Sequence, residues 1–254
     1  MIVLLSPAKK MEFETLPLAV TPSQPIFLEQ SEKLIHKLKT LSRKKIADLM
    51  SLSPNLADLN FNRYQNWSIP FTPENALPAI YAFRGDVYIG FNADSLSEEE
   101  IDFAQHHLRI LSGLHGILKP LDLVQPHRLE MGTRLPVARK KNLYDFWKKD
   151  VAQTLQKELD IEGSGIIANL ASQEYFKVVD TKSLKCRIIN FSFFENKGGE
   201  FKMISLFAKQ ARGSMARFIV DHKILDIKQL KSFNKNGYQF LEAKSDESHL
   251  CFVR

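Results

Sequence analysis

The chain holds only two cysteines in 254 residues, Cys186 and Cys251, far apart in sequence. Neither sits in a CxxC pair or a zinc spacing, which argues against a disulfide framework and a structural zinc site. Two buried thiols in a reducing compartment is the reading that remains. No window approaches the ~18 consecutive apolar residues of a membrane helix. The opening MIVLL is too short for a signal-peptide core. A cytoplasmic protein with no membrane partner is therefore expected. Metal patterns are missing as well. HExxH and His-x3-His spacings are absent. The adjacent His106 and His107 would point ~100° apart on a helix and rarely share an ion. His127 and Glu130 supply two ligands and not a set. No metal and no cofactor are expected. A nucleophile elbow, a Walker loop and a dinucleotide fingerprint are also lacking.

What is present is apolar bulk and positive charge. Hydrophobic residues make up 44% of the chain, with 18 Phe among them, enough for a sizeable core. The net charge is +6 with a pI near 9.2, which suits a polyanionic partner. The distribution says more than the total. Between His127 and Lys149 stand seven Lys or Arg against two acids, Glu130 and Asp145.

Apolar patterning predicts a mixed α/β (α+β) chain. No internal repeat, low-complexity tract or linker divides it, so a single compact domain over 1–254 is expected, with a central sheet flanked by helices. Ile2–Leu5, Ala79–Phe83 and Gly165–Leu170 read as buried strands. Lys185–Phe194 and Phe201–Phe207 read as strands joined by the turn Asn196-Lys197-Gly198-Gly199. Tyr238–Leu241 and Leu250–Val253 read as a closing hairpin. Helices are predicted around Leu34–Leu41, after Ser42, from Pro54, after the capping box Ser97-x-x-Glu100, over Leu143–Leu159 and over Ala208–Ile224. Thr15–Pro25, with three prolines, reads as an extended loop.

Three regions invite chemistry. The first is the set of strand ends. Ser6-Pro7-Ala8-Lys9, Arg84-Gly85-Asp86 and Ala171-Ser172-Gln173-Glu174-Tyr175 each follow a buried run. Ligand crevices in open α/β sheets lie beyond the carboxyl ends of strands; ordinary helix-capping turns are the alternative. The second is Leu111–Leu118, where Ser112, Gly113 and Gly116 frame a turn followed by Lys119. Such a turn can present amides to a phosphate, as in a helix–hairpin–helix. Two residues separate its glycines and Pro120 follows, so an ordinary helix corner stays open. The third is Phe207–Arg217, whose Lys209, Arg212 and Arg217 fall within roughly 140° of a helix among small residues.

These stretches also carry a family resemblance. LLSPAK (Leu4–Lys9), FRGDVY (Phe83–Tyr88), the run from Asp102 to Gly132, NLASQEYFK (Asn169–Lys177) and FAKQARGSMARF (Phe207–Phe218) occur in one order. Together they make the chain resemble the bacterial peroxide-stress-resistance family YaaA over nearly its whole length. The resemblance implies a cytoplasmic DNA-binding protein with a basic cleft and a helix–hairpin–helix element. It also implies a role in limiting oxidative damage linked to free iron. Carried onto this chain, the hairpin falls on Leu111–Leu118. The cleft falls on Lys9, Arg84, His107, Arg109, Arg128, Lys209, Arg212 and Arg217. Arg84 stands where the family pattern has Lys, and His106 where Gln is usual. The leading expectation is largely sequence-independent binding to the backbone of duplex or distorted DNA, with no obligatory protein partner. The alternative is an enzyme on a nucleotide or small anionic substrate, using Glu130, Ser172 and Glu174 in the same cleft.

Overall fold

The computed structural model describes residues 1–13 and 20–254. The loop expected over Thr15–Pro25 lies outside the described residues up to position 19. Among the described residues, eight strands form the central sheet: β1 Ile2–Leu5, β2 Leu108–Ser112, β3 Gly116–Leu118, β4 Ile166–Asn169, β5 Arg187–Lys197, β6 Glu200–Lys202, β7 Gln239–Phe240 and β8 His249–Val253. Their order is β7-β8-β5-β4-β1-β2-β3, with β6 beside β5. β1 runs parallel to β2 on one side and β4 on the other. β4–β5 and β5–β8 are also parallel, while β2–β3, β5–β6 and β7–β8 are antiparallel.

The centre of the sheet is covered on both faces, which is why β1 reads as the uninterrupted apolar run IVLL. Successive side chains alternate between faces. Val3 and Leu5 enter one core with Ala211 and Met215. Ile2 and Leu4 enter the other with Trp147 and Leu155. The main helices are α1 Leu28–Lys39, α2 Arg43–Met50, α3 Pro54–Asn66, α4 Asp86–Phe91, α5 Glu98–His107, α6 Leu143–Glu162 and α7 Ser205–Asp221. Helices α4, α5 and α7 pack in the first core, and α1, α2, α3 and α6 in the second. The capping box of Ser97 and Glu100 forms as expected. Ser42 and Ser53 cap α2 and α3. α4 and α7 cross closely: a Cβ on Gly90 would overlap the Gln210 carbonyl, and one on Gly213 the Val87 carbonyl. Among the described residues no helix is long and apolar enough to cross a membrane.

Three local expectations are corrected. Ala79–Ala82 is a helical turn, and only Phe83–Arg84 is extended, pairing with Lys10–Met11. A short, wholly buried apolar run carries no period to separate strand from helix. Here the amides of Ala79 and Ile80 bond the carbonyls of Asp122 and Pro120 and hold the run across that loop. Phe201–Phe207 is strand only to Lys202, and α7 opens at Ser205. Leu111–Leu118 joins two strands and not two helices. Helix α5 ends at His107, and LRILS, buried throughout, becomes β2 beside β1.

Candidate functional site: the carboxyl end of the central strands

β1 and β4 are adjacent, yet their chains leave in opposite directions. β1 is followed in the sheet by β2 on one side, and β4 by β5 on the other. Such a reversal opens a crevice beyond the carboxyl ends of the two strands. Two of the polar clusters expected to converge do meet there. The Ser172 backbone N–H donates to Ser6 Oγ at 2.8 Å, and the two hydroxyl oxygens lie 3.3 Å apart. The Tyr88 hydroxyl, from α4, donates to the Ser6 carbonyl at 3.1 Å. At the last residue of β4, Asn169 Nδ2 donates to Asn190 Oδ1 at 2.9 Å, and its Oδ1 accepts from the Ala171 N–H. Ser172 also caps the short helix Gln173–Phe176, so its hydroxyl has a structural task.

One wall of this end is the segment His127–Gly132. Leu129 and Met131 turn into the core, and Arg128 and Glu130 take the other side. Glu130 Oε1 accepts from Arg128 at 2.8 and 3.0 Å and lies 3.4 Å from Lys9 Nζ. Glu130 Oε2 is buried and has no hydrogen-bond partner among the described residues. The Tyr64 hydroxyl donates to the Arg128 carbonyl and ties the segment to α3. Glu174 Oε1 accepts from Gly132 N–H at 3.1 Å, and the Tyr144 hydroxyl donates to the Glu174 carbonyl. Tyr175 lies against this wall. Burial, together with the negative charges of Glu174 and Glu130, pushes its hydroxyl far above the ordinary tyrosine range.

α7 brings the remaining cations. Ala208, Ala211 and Met215 face the core, and Gly213 faces α4. At ~100° per residue, Arg212 falls between those two faces, one turn after Lys209. Lys209 is half exposed and lies 3.7 Å from Asp86 at the start of α4. Arg212 is half-buried. Burial lowers its guanidinium from the ordinary range. Among the described residues it forms no ion pair and no hydrogen bond. A guanidinium taken partly out of water without a partner is costly.

The other expected cleft residues are placed differently. His107, Arg109 and Lys119 gather at the opposite, amino end of the central strands. There His107 stacks on Phe103 and bonds the Met1 carbonyl. Arg109 is 4% exposed. It donates to Glu158 at 2.8 Å and to the carbonyls of Gln105, His106 and Leu108. Arg84 is paired with Asp94 through two nitrogens and stands near Glu12. Arg217 pairs with Asp221, lies near Glu100 and donates to the Asn92 carbonyl and Ser95. Ser112, Gly113 and Gly116 are buried. Ser112 Oγ accepts from the His115 N–H, and the Gly113 carbonyl accepts from Trp147 Nε1. A Cβ on Gly113 would overlap the Leu129 carbonyl. At Gly116 φ is +70°, and a Cβ would sit 2.7 Å from the Trp147 ring. This turn is roofed by Trp147 and presents no amide to a phosphate.

A basic surface that was not assigned residue by residue lies on α6. Arg139, Lys140, Lys141, Lys148 and Lys149, with only Asp145 and Asp180 as acids, line an open concavity of about 780 Å³. Ala138 and Arg139 both have positive φ, in a turn closed by reciprocal bonds between Val137 and Lys140. That conformation costs non-glycine residues energy, and Arg139 is exposed. The excess of Lys and Arg before Lys149 was its signal in the sequence.

A family model described as peroxide stress protein YaaA matches residues 1–244. The chain belongs to this family. Two UPF0246 proteins of Aliivibrio fischeri, from strains MJ11 and ATCC 700601 / ES114, are each 50% identical to it over 255 residues. Each match covers 100% of this chain and 98% of the relative. Membership supports a role in peroxide stress. Among the described residues, no three His, Cys, Asp or Glu side chains converge as a metal ligand set.

Proposed function

We propose that this peroxide-stress protein binds the phosphate backbone of DNA, without reading its sequence, and so limits iron-driven damage in the cytoplasm. The observation that carries this reading is the concavity on α6, where five cations face two acids. Lys148 is held by Asp180 at 3.3 Å, and the remaining four are exposed. Long, exposed Lys and Arg side chains suit phosphates along a strand and carry no base information. Lys9 and Lys209 add exposed charge at the strand-end crevice. The hairpin at Leu111–Leu118 takes no part in this reading, because its amides are buried.

The test is the salt dependence of duplex affinity. Log affinity should fall linearly with log salt, with a slope of about −0.9 per phosphate neutralised. The triple variant Lys140→Glu, Lys141→Glu, Lys149→Glu should flatten that slope by about 3 and weaken all duplex sequences alike. A slope near zero in the unaltered protein, or an unchanged slope in the variant, would move binding off this surface.

A further inference from the structure

We infer that the crevice at the carboxyl ends of β1 and β4 is a binding site for a nucleotide, with the phosphate on Arg212 and Lys209 and an N–H donor of the base on Glu130 Oε2. Three independent features point there. The crevice lies where the chains of neighbouring parallel strands diverge, the place such sheets leave open to ligands. Arg212 is half-buried with no partner among the described residues. Its neighbour one turn away is a second cation, Lys209, which Asp86 approaches only to 3.7 Å, and like charges at that spacing repel. A phosphate dianion satisfies both, and a guanidinium can grip it through two parallel N–H bonds. Glu130 supplies the complementary demand. Its Oε1 is occupied by Arg128 and Lys9, while Oε2 is buried, lacks a donor among the described residues and meets a ligand by a turn of the carboxylate. Among the described residues Trp67 Nε1, Tyr81 Oη and His115 Nε2 are also buried without partners, but Glu130 is a carboxylate, and an unpaired buried oxygen of a charged group costs more than that of a neutral one. A ligand that carries both a phosphate and an N–H donor meets both demands at once. Inorganic phosphate meets only the first.

This site is separate from the lysine surface on α6. Duplex binding there needs neither Glu130 nor Arg212.

Calorimetric titration of the full chain with inorganic phosphate and with deoxyguanosine monophosphate tests the inference. Both should bind saturably, the nucleotide at least tenfold more tightly. Arg212→Gln should weaken both at least tenfold. Glu130→Gln should leave phosphate binding within twofold and abolish the advantage of the nucleotide. The glutamine oxygen stays with Arg128 and Lys9, and its NH2 then faces the donor. Urea denaturation of each variant verifies folding. The triple variant on α6 should bind the nucleotide normally, so failure of duplex binding and failure of this site are read apart. A 5′-phosphorylated oligonucleotide that competes with the nucleotide would mark the end of a strand as the natural ligand. Absence of competition would mark a free nucleotide. No saturable binding of either small probe, or binding unaffected by Arg212→Gln, overturns the inference.

Discussion

Two regions of this protein are built from similar residues and differ in how their arginines are paired. The β2–β3 hairpin contains an arginine, a histidine, a serine and two glycines. Arg109 is bound to Glu158 and three carbonyls, Ser112 caps a turn amide, and Trp147 covers the glycines. The strand-end crevice and the α7 face beside it carry Arg128, Arg212, Glu130, Glu174 and two serines. Arg212 has no partner among the described residues, and Glu130 keeps one bare buried oxygen. Charge in the first region holds the fold together. Among the described residues each region also buries one unpaired atom, His115 Nε2 in the hairpin and Glu130 Oε2 in the crevice; the pairing of Arg109 and Arg212 is what separates them.

The comparison can be broken first at the hairpin. Gly113→Ala should cost the most stability, about 3 kcal/mol or more, because the new Cβ meets backbone that has nowhere to move. Arg109→Met should cost about 3 kcal/mol by stranding Glu158 and three carbonyls. Urea denaturation measures both. Wild-type stability in either variant would mean that the hairpin is looser than its packing indicates.

Acid should act on the same region. His115 and His127 are buried edge to face, 5.3 Å apart. Burial holds His115 well below its ordinary range and lowers His127 to about 4. The unfolded chain takes up these protons near pH 6.5, so the stability they give is full above pH 6.5 and is lost as pH falls toward 4. Asp122 opposes them. Burial raises it to about 6, so the folded state binds its proton first and gains stability as pH drops. Two histidines outweigh one aspartate, and unfolding free energy should fall by about 2–3 kcal/mol between pH 7 and 5. Asp122→Asn should steepen that loss; a flat profile would show that the histidines are not held neutral.

The arrangement of the strand ends was legible in part. Ile2–Leu5 and Ile166–Asn169 end in polar clusters, and the structure does set them side by side. The caps at Ser42 and Ser97 and the glycine turn after β5 were legible too, because they depend on neighbours in sequence. The partners of the charges were not. Glu158 lies 49 residues from Arg109, and no local pattern joins them. The glycines of the hairpin signal a tight turn equally well whether it faces a phosphate or a tryptophan, and Trp147 settles that from 34 residues away. Glu130 stood out as the acid in a basic run, yet its irregular segment has no period from which to read which way it faces. The concavity on α6 was visible only as local charge excess, since helix geometry and the strained turn at Ala138-Arg139 assemble it.

The smallest change in stability should come from Arg212, and it is the most telling. Arg212→Met removes a half-buried charge that nothing in the described fold pairs. Its unfolding free energy in urea should match or exceed that of the unaltered protein by up to about 1 kcal/mol, against a loss of about 3 kcal/mol for Arg109→Met. A loss for Arg212→Met as large as that for Arg109→Met would show that Arg212 is a structural charge, and would contradict the division between a hairpin whose arginine is paired and a crevice whose arginine is not.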